Sequence, residues 1–335
     1  MKVLRTKLLF ELVSGISALV VLSVALLFWF SIQPASKEGS VEVVIPKGAS
    51  VRDVARILHR SGVIKSERMF ELFVRVAGKQ RKIKAGTYEF SFPISPAELL
   101  AKLTRGEQKL VKITIPEGLT IREIDELLAE KGLIRRGELA RLGYDPDVAK
   151  RYGIDAKSLE GFLFPDTYLV RRDVEPEELI EIMLKRFWEV FDANLRAEAE
   201  SRGMSVLEAV TLASMIEKET GVDSERPLIS AVFHNRLKKG MKLQCDPTVI
   251  YGLESFDGNL TKEDLKNPHP YNTYVHGGLP PGPICNPGRA SLVAAVRPAD
   301  VNYLYFVSRG DGTHYFSSTY SEHWNAVLKY QIKRR

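Results

Sequence analysis

The first feature of the hydrophobic pattern is an uncharged apolar run near the N-terminus. Residues 12–30 contain no Asp, Glu, Lys or Arg and are rich in Leu, Val, Ala and Phe. As a helix this run would be roughly 28 Å long, which matches the ~30 Å hydrocarbon core of a bilayer. Lys2, Arg5 and Lys7 precede the run, and the positive-inside rule keeps such a terminus in the cytoplasm. The pattern therefore predicts one transmembrane helix over residues 9–32.

A cleaved signal peptide is the alternative interpretation of this run. The run is longer than a typical h-region, and Phe28, Trp29 and Phe30 suit an interfacial anchor better than a cleavage site of small residues. We therefore expect an uncleaved anchor, with the rest of the chain on the far side of the membrane.

The region after the anchor contains one pattern twice. Residues 41–64 match residues 111–134 without a gap, at an offset of 70 residues. Each copy begins with a β-branched strand that stops at a Pro-x-Gly turn, and Ser50 or Thr120 then stands at the expected N-cap of a helix. An acidic residue three positions later completes a capping box, and a glycine closes each predicted helix. One strand–helix unit has been used twice.

The first copy extends into a small α+β module. The pattern predicts a second amphipathic helix over residues 67–76, a strand over residues 86–90 and a helix that begins at Ser95 and ends near Gly106. This strand–helix–helix–strand order resembles a LysM-type glycan-binding module. A spacer that holds the next domain away from the bilayer is an equally open interpretation.

The most informative helix is predicted from Ser205 to about Thr220. Ser205 and Glu208 have the spacing of a capping box, and Gly221 is expected to end the helix. Its apolar residues share one stripe, which consists of Val206, Ala209, Val210, Ala213 and Ile216.

Glu217 lies inside this stripe, at about 20° from Val206, whereas Glu219 falls at about 220°. A carboxyl group on an apolar face is desolvated, which raises its pKa and keeps it protonated at neutral pH, as a general acid requires. Helical periodicity thus distinguishes Glu217. A structural ion pair with an arginine such as Arg236 is the alternative interpretation.

Several uncommon motifs surround this helix in a fixed order. They are Ala-Ser-Met-Ile-Glu-Lys-Glu-Thr at residues 213–220, Val-Phe-His-Asn-Arg-Leu at 232–237, Leu-Gln-Cys-Asp-Pro-Thr-Val-Ile-Tyr-Gly at 243–252, Tyr-Asn-Thr-Tyr at 271–274 and Gly-Leu-Pro-Pro-Gly-Pro-Ile at 278–284, with Lys-Ala-Gly-Thr-Tyr at 84–88, Glu-Gly-Phe-Leu-Phe-Pro-Asp-Thr-Tyr at 160–168 and Tyr-Leu-Tyr-Phe-Val at 303–307. Together they closely resemble the endolytic murein transglycosylases of the MltG (YceG-like) family, from the anchor to the C-terminus.

The resemblance implies a single catalytic glutamate, which falls on Glu217. The implied reaction is non-hydrolytic cleavage of the β-1,4 bond between N-acetylmuramic acid and N-acetylglucosamine. Glu217 would protonate the glycosidic oxygen and then, as a base, take the proton of the muramic C6 hydroxyl, which closes a 1,6-anhydro ring. Because no water is activated, the second carboxylate of ordinary glycosidases is not required. No cofactor is expected.

Polar and aromatic residues of the same motifs are candidate substrate contacts. Their amide and hydroxyl groups can hydrogen-bond to the glycan, and their tyrosine rings offer faces for sugars. The candidates are Asn235, Gln244, Asp246, Thr248, Tyr251, Tyr271, Asn272 and Tyr274. For each of them a packing or turn role is an open alternative, and Asp246 before Pro247 also suits a turn. The proline-rich residues 277–287 are expected to form a stiff wall of the cleft.

The net charge indicates the class of partner, and the cysteines and histidines leave other roles open. The net charge of +6 comes from dispersed Lys and Arg residues, which favours anionic envelope polymers or lipid head groups over nucleic acid. Cys245 and Cys285 can form one disulfide or remain two small buried residues. We interpret His269 and His276 as ordinary loop residues rather than a metal site.

We expect an α+β protein with a single transmembrane helix, a small LysM-like module and a larger C-terminal catalytic domain. Its expected segments are a cytoplasmic tail (1–8), the transmembrane helix (9–32), a linker (33–40), the module (41–107), the second copy with a connector (108–154) and the catalytic domain (155–335). The resemblance implies a place in the cell inner membrane, a periplasmic or extracytoplasmic catalytic domain, peptidoglycan glycan strands as substrate and peptidoglycan synthases as partners.

Two other functions stay open at this point. A hydrolytic muramidase would need Asp246 or Glu219 across the sugar from Glu217. A glycan-binding scaffold without activity would tolerate the change of Glu217 to Gln.

Overall fold

The computed structural model describes residues 39–332. The transmembrane helix predicted over residues 9–32 lies outside these residues and stays a prediction. Within the part described, no helix is both long and apolar enough to cross a bilayer. The described chain forms two compact units, which are residues 39–111 with 169–173, and residues 112–168 with 174–332.

The first unit is built around an antiparallel strand pair. Its elements in chain order are β1 (Ser40–Ile45), α1 (Val51–Arg60), α2 (Glu67–Val76), β2 (Gly86–Ser91) and α3 (Pro96–Arg105). Strand β1 pairs with β2 so that Val43 lies opposite Tyr88, and the rings of Tyr88 and Phe90 are fully buried. The predicted strand–helix–helix–strand order is confirmed, whereas the LysM-type likeness stays a prediction.

The remaining elements continue the mixed pattern of helices and short strands. They are β3 (Leu110–Thr114), α4 (Ile121–Glu130), α5 (Glu138–Gly143), α6 (Pro146–Arg151), β4 (Thr167–Arg171), α7 (Pro176–Val190), α8 (Ala193–Ser201), α9 (Val206–Glu219), α10 (Arg226–Lys238), α11 (Asp246–Tyr251), α12 (Arg289–Val296), β5 (Tyr305–Ser308), β6 (His314–Ser317) and α13 (Tyr320–Val327). Strand β3 pairs with β4, and β5 pairs with β6. Small sheets among helices agree with the predicted α+β class.

Both copies of the repeat begin their helix in the same way. The hydroxyls of Ser50 and Thr120 accept the N–H groups of Asp53 and Glu123, whose carboxylates accept the N–H of the cap residue in return. The glycine after each helix adopts the left-handed conformation that favours glycine. The predicted caps are confirmed, so the sequence repeat is also a repeat of local structure.

Helix α9 is the centre of the second unit. Residues 209–216 are all buried, because α8, α10, α11 and α12 pack against the helix. Its predicted capping box of Ser205 and Glu208 is present. At the other end Thr220, in an extended conformation, ends the helix, and Gly221 does not take the left-handed conformation expected of a C-cap glycine. Since neighbours cover α9 on most sides, its buried surface is wider than the predicted stripe.

A buried carboxylate organises the start of α5. Asp125, on α4, is 2 % exposed and accepts the N–H groups of Gly137 at 2.6 Å, Leu139 at 2.9 Å and Ala140 at 3.1 Å. The N-cap position of α5 is Gly137, which has no side chain to cap the helix. Asp125 therefore supplies the cap of α5 from a neighbouring helix.

We expect Asp125→Ala to lower the free energy of unfolding by about 2–4 kcal/mol, because three buried N–H groups lose their acceptor. Urea unfolding of the purified protein measures this change. Glu126→Gln, at an exposed position of the same helix, is the matched control and should change the value by less than about 0.5 kcal/mol. Equal midpoints for the two variants would contradict the capping role.

Candidate active site

Glu217 lies in the last turn of α9 and is covered by groups from two other elements. Its side chain is 7 % exposed. Oε2 accepts the N–H of Gly288 at 3.0 Å, and Oε1 lies 3.5 Å from Nη2 of Arg226. The predicted burial of this side chain is confirmed, and the buried carboxyl group faces a cation and a main-chain donor.

Arg226 is held in place from three directions. Its side chain is 6 % exposed, its Nη1 donates to the carbonyl of Thr220 at 2.8 Å, and its Nε donates to Asp223 at 3.1 Å. Arg236, named above as an ion-pair partner for Glu217, instead donates to the carbonyls of Leu243 and Leu304, each at 2.7 Å. The ion pair that was considered as the alternative interpretation of Glu217 is therefore present, with Arg226 in place of Arg236.

The turn of the second repeat copy packs against Glu217. In the sequence Pro116-Glu117-Gly118, the N–H of Gly118 donates to the carbonyl of Asn286 at 2.9 Å, and Lys218 Nζ donates to the carbonyl of Gly118 at 3.3 Å. A Cβ on Gly118 would lie 3.6 Å from Cγ of Glu217. Sequence reasoning missed this contact, because nothing local in the turn shows what it packs against.

Glu160 is a second buried carboxyl group, and sequence reasoning quoted it only as part of a motif. It is 1 % exposed. Its carboxylate accepts the N–H of Ile121 at 3.0 Å, the hydroxyls of Tyr144 and Tyr251 at 3.2 Å each, and Nδ2 of Asn286 at 3.0 Å. Burial outweighs these donors and raises the pKa of Glu160 to about 7.

The tyrosines bound to Glu160 line a cavity of about 930 Å³. Tyr271 also lines it, with its ring centroid 4.8 Å from that of Tyr251. Lys218, the residue after Glu217, contributes to the same wall. The structure thus places two of the predicted substrate residues, Tyr251 and Tyr271, in one aromatic cavity.

Another group of predicted residues lies around the start of α11. The hydroxyl of Tyr274 donates to Asp246 at 2.5 Å. Burial raises the pKa of Glu219 to about 7, while a hydrogen bond from Cys245 and the charge of Arg236 oppose the shift. Cys245 and Cys285 are free thiols and both are buried. Of the two interpretations left open, a disulfide or two small buried residues, the structure shows the second. The helical projection places Glu219 away from the stripe that contains Glu217, and the raised pKa of Glu219 shows that this side of α9 is covered as well.

Most of the other candidates bond to main-chain groups through their side chains. Asn235 donates to the carbonyls of Val301 at 2.8 Å and Tyr303 at 2.9 Å. Thr248 and Asn272 are buried, and their side chains bond to main-chain groups of residues 245, 265 and 267. Gln244 is exposed and has a left-handed φ of 52°. Their roles as substrate contacts stay predictions.

Known proteins resemble this chain over most of its length. The model of the YceG-like family matches residues 43–329. A curated relative, the endolytic murein transglycosylase of Bacillus subtilis (strain 168), is 34% identical over 317 residues, which are 89% of this chain and 88% of that protein. The endolytic murein transglycosylase of Streptococcus pneumoniae serotype 2 (strain D39) is 28% identical, and the match covers 88% of this chain but 59% of that longer protein.

A solved structure has the same fold. The 2.6 Å crystal structure of a putative yceG-like protein from Listeria monocytogenes is 35% identical to this chain, with a TM-score of 0.60. The match covers 85% of this chain and 98% of that structure.

The raised pKa of Glu160 makes folding depend on pH. Because its pKa of about 7 in the folded protein lies above the ordinary value of 4.5, the folded state binds more protons in that window. The stability due to this group is therefore present below pH 4.5 and lost as pH rises through 7. Glu160→Gln should remove a slope of up to about 1.4 kcal/mol per pH unit from the free energy of unfolding. Urea unfolding at a series of pH values measures the slope, and parallel curves for the two proteins would contradict this account.

Proposed function

We propose that this chain, which belongs to the YceG-like family, cleaves peptidoglycan glycan strands as an endolytic murein transglycosylase and leaves 1,6-anhydro ends. The observation that carries the proposal is the buried carboxyl group of Glu217, which faces Arg226 and the N–H of Gly288. The names of the curated relatives support the same activity.

Glu217 has the surroundings that one acid and base group needs. In the proposed reaction it donates a proton to the glycosidic oxygen, and the bond to the anomeric carbon of the muramic residue breaks. Arg226 and the N–H of Gly288 stabilise the carboxylate that results. That carboxylate then removes the proton of the C6 hydroxyl while the C6 oxygen bonds to the anomeric carbon. Glu217 therefore ends protonated, as it began.

The aromatic cavity is the proposed binding site for the glycan next to this centre. Its volume of about 930 Å³ is in the range that holds a ligand of a few sugar rings. The rings of Tyr251 and Tyr271 offer apolar faces, and Lys218 links this wall to the helix of Glu217.

Hydrolysis by a muramidase is the second candidate, and one observation favours it. Glu117, exposed in the turn beside Glu217, is a second carboxyl group in this region. Of the residues first considered for that role, Asp246 accepts a hydrogen bond from Tyr274, and Glu219 lies on another side of α9 in the helical projection. The product distinguishes the two candidates. A reducing end shows that water was the nucleophile, and a 1,6-anhydro end shows that the C6 hydroxyl was.

The location and partners of the enzyme belong to the same proposal. The apolar residues 12–30 and the preceding basic residues support an anchor in the cell inner membrane, with the catalytic unit outside the cytoplasm. An enzyme held there would act on strands as peptidoglycan synthases produce them, and it would need no cofactor for the chemistry of Glu217.

The test of the reaction is mass spectrometry of the products that the full-length protein in detergent releases from purified peptidoglycan. We expect 1,6-anhydromuramic ends from the wild type and a loss of at least about a hundredfold in rate for Glu217→Gln, which lacks the acidic proton. Reducing ends would establish the muramidase. Equal rates for the two proteins would exclude Glu217 as the catalytic residue.

The role of the aromatic cavity is tested by Tyr271→Ala. Loss of one ring face should raise KM by roughly tenfold with a smaller change in kcat, since the ring binds substrate and does not take part in proton transfer. Trp324→Ala, which removes an exposed ring outside the cavity, is the control. Similar KM values for Tyr271→Ala and the wild type would exclude sugar binding at this ring.

A further inference from the structure

A further cavity, the α9–α10 cavity, lies between these two helices of the second unit. Its volume is about 1110 Å³, similar to that of the aromatic cavity. Leu207 and Thr211 of α9 line one side, and His234 and Lys238 of α10 line another. Because the members of each pair are four residues apart, each pair lies on one face of its helix. The cavity is therefore formed by two helices that pack against each other.

Two proline-containing loops provide further walls of the α9–α10 cavity. They are residues 278–281 and residues 298–302. Asn235 holds the second loop against α10, since its Nδ2 donates to the carbonyl of Val301 at 2.8 Å. Proline fixes φ and restricts the residue before it, so these loops lose little freedom when a ligand binds. The stiff wall that the sequence predicts within residues 277–287 thus contributes to this cavity.

Thr211 brings a buried hydroxyl to the wall of this cavity. The residue is 1 % exposed. Within residues 39–332 its Oγ1 forms no hydrogen bond, whereas Thr104, also inside a helix, donates its hydroxyl to the carbonyl of Leu100 at 2.8 Å. Oγ1 of Thr211 is not sealed in the core, so it faces the cavity. A buried hydroxyl without a partner is costly, so a ligand that bonds to it is favoured.

Two acceptors on α10 extend this polar part of the cavity. His234 donates through Nε2 to the carbonyl of Ala295 at 2.8 Å, which leaves Nδ1 as an acceptor on a neutral ring. Asn235 uses Nδ2 for the carbonyls of Val301 and Tyr303, which leaves Oδ1 as an acceptor. The cavity therefore offers a hydroxyl and two acceptors to the N–H and C=O groups of a ligand.

The lining of the α9–α10 cavity suits a peptide better than a sugar. Within residues 39–332 no Phe, Tyr or Trp lines it, whereas sugar rings bind well on aromatic faces such as those of the aromatic cavity. Exposed charges of both signs lie at its edge, Arg202 and Lys238 on one hand and Asp300 on the other. A short peptide carries amide groups for the polar wall and charged groups for this edge.

The two cavities follow one another along α9. Thr211 lines the α9–α10 cavity and Lys218 lines the aromatic cavity, and the two residues are two helical turns, roughly 10 Å, apart. Between them Ser214 accepts the N–H of Ile284 at 3.0 Å, so the proline-rich loop runs along α9 from one cavity to the other. An extended peptide of about three residues covers this distance.

We propose that the α9–α10 cavity binds the peptide stem of a peptidoglycan strand whose sugars occupy the aromatic cavity. The inference rests on the proposed function. Thr211, His234 and Asn235 bond to the main chain of the stem, and Lys238 faces one of its carboxylates. Strands that carry stems are therefore bound more tightly than strands without them, so the cavity makes the enzyme selective for substituted strands.

The experiment measures KM and kcat of the full-length protein in detergent on two substrates. One is purified glycan strands with their stem peptides, and the other is the same strands after an amidase has removed the stems. We expect the wild type to have a KM roughly tenfold lower for the strands with stems, because the interactions in the cavity add to those with the sugars.

Thr211→Val tests the cavity with little change of shape, since valine keeps the branched Cβ and lacks the hydroxyl. It should raise KM for strands with stems roughly three- to tenfold and leave kcat within about twofold, because the lost hydrogen bond serves binding. Lys238→Gln should raise KM in the same direction. Thr104→Val removes a hydroxyl from a helix of the first unit, and as the matched control it should behave like the wild type.

The outcomes separate this inference from the proposed function. Equal KM values of the wild type for both substrates would overturn the inference while the transglycosylase stands. An equal rise of KM for both substrates in Thr211→Val would also overturn it and assign the cavity to the glycan. Thermal unfolding of each variant excludes loss of structure as the cause.

A wild type that cleaves neither substrate would overturn the proposed function. Calorimetric titration with the stem peptides that the amidase releases then decides the inference by itself. Binding to the wild type that is weakened at least threefold in Thr211→Val would support the cavity as the stem site. No binding to the wild type would overturn it.

Discussion

The site depends on how a carboxyl group is accommodated at the end of a buried helix. The last turn of α9 carries unpaired carbonyls, whose partial negative charge disfavours another anion beside them. The N-termini of α10 and α12 contact this end of α9. Arg226 opens α10 and donates both to Thr220 and towards Glu217, and Gly288, the N-cap of α12, donates its N–H to Glu217. The packing of α10 and α12 on α9 therefore also supplies the donors that stabilise the carboxyl group of Glu217 at this helix end.

The same constraint connects the aromatic cavity to the carboxyl group of Glu217. Asn286, two residues before Gly288, donates through Nδ2 to Glu160 at 3.0 Å and to the carbonyl of Leu119 at 2.9 Å. Its own carbonyl accepts the N–H of Gly118. One short segment thus fixes the carboxyl group beneath the tyrosines, the turn that contains Glu117 and the donor to Glu217. A shift of this segment would therefore move the aromatic cavity and the donor to Glu217 together.

Local features of this fold could be read from the sequence, and contacts between distant segments could not. The capping boxes at Ser50, Thr120 and Ser205 involve residues three apart, so spacing alone predicted them. The burial of Glu217 followed from helical periodicity. Its partners Arg226 and Gly288 come from other elements, and an apolar stripe does not say which cation will cover it.

The residues that sequence reasoning missed have the same cause. The projection assumed one apolar face, yet α9 is covered on most sides, so burial raises the pKa of Glu219 even though this residue lies away from the stripe. Glu160 and Glu117 each lie in a motif without local periodicity, so only the folded chain shows that one is buried beneath tyrosines and the other lies beside Gly288. The difference between Lys47 and Glu117 was the one signal in the sequence that could have pointed to the second carboxyl group.

The proposed mechanism requires one residue to be first an acid and then a base, so the same surroundings must serve both steps. The side chain of Glu217 is 7 % exposed, which keeps most water away from its carboxyl group. The same carboxyl group faces Arg226 and the N–H of Gly288, and both can bond to its ionised form. Because these two donors belong to the starts of α10 and α12, the packing of both helices on α9 decides whether one carboxyl group could serve in both steps.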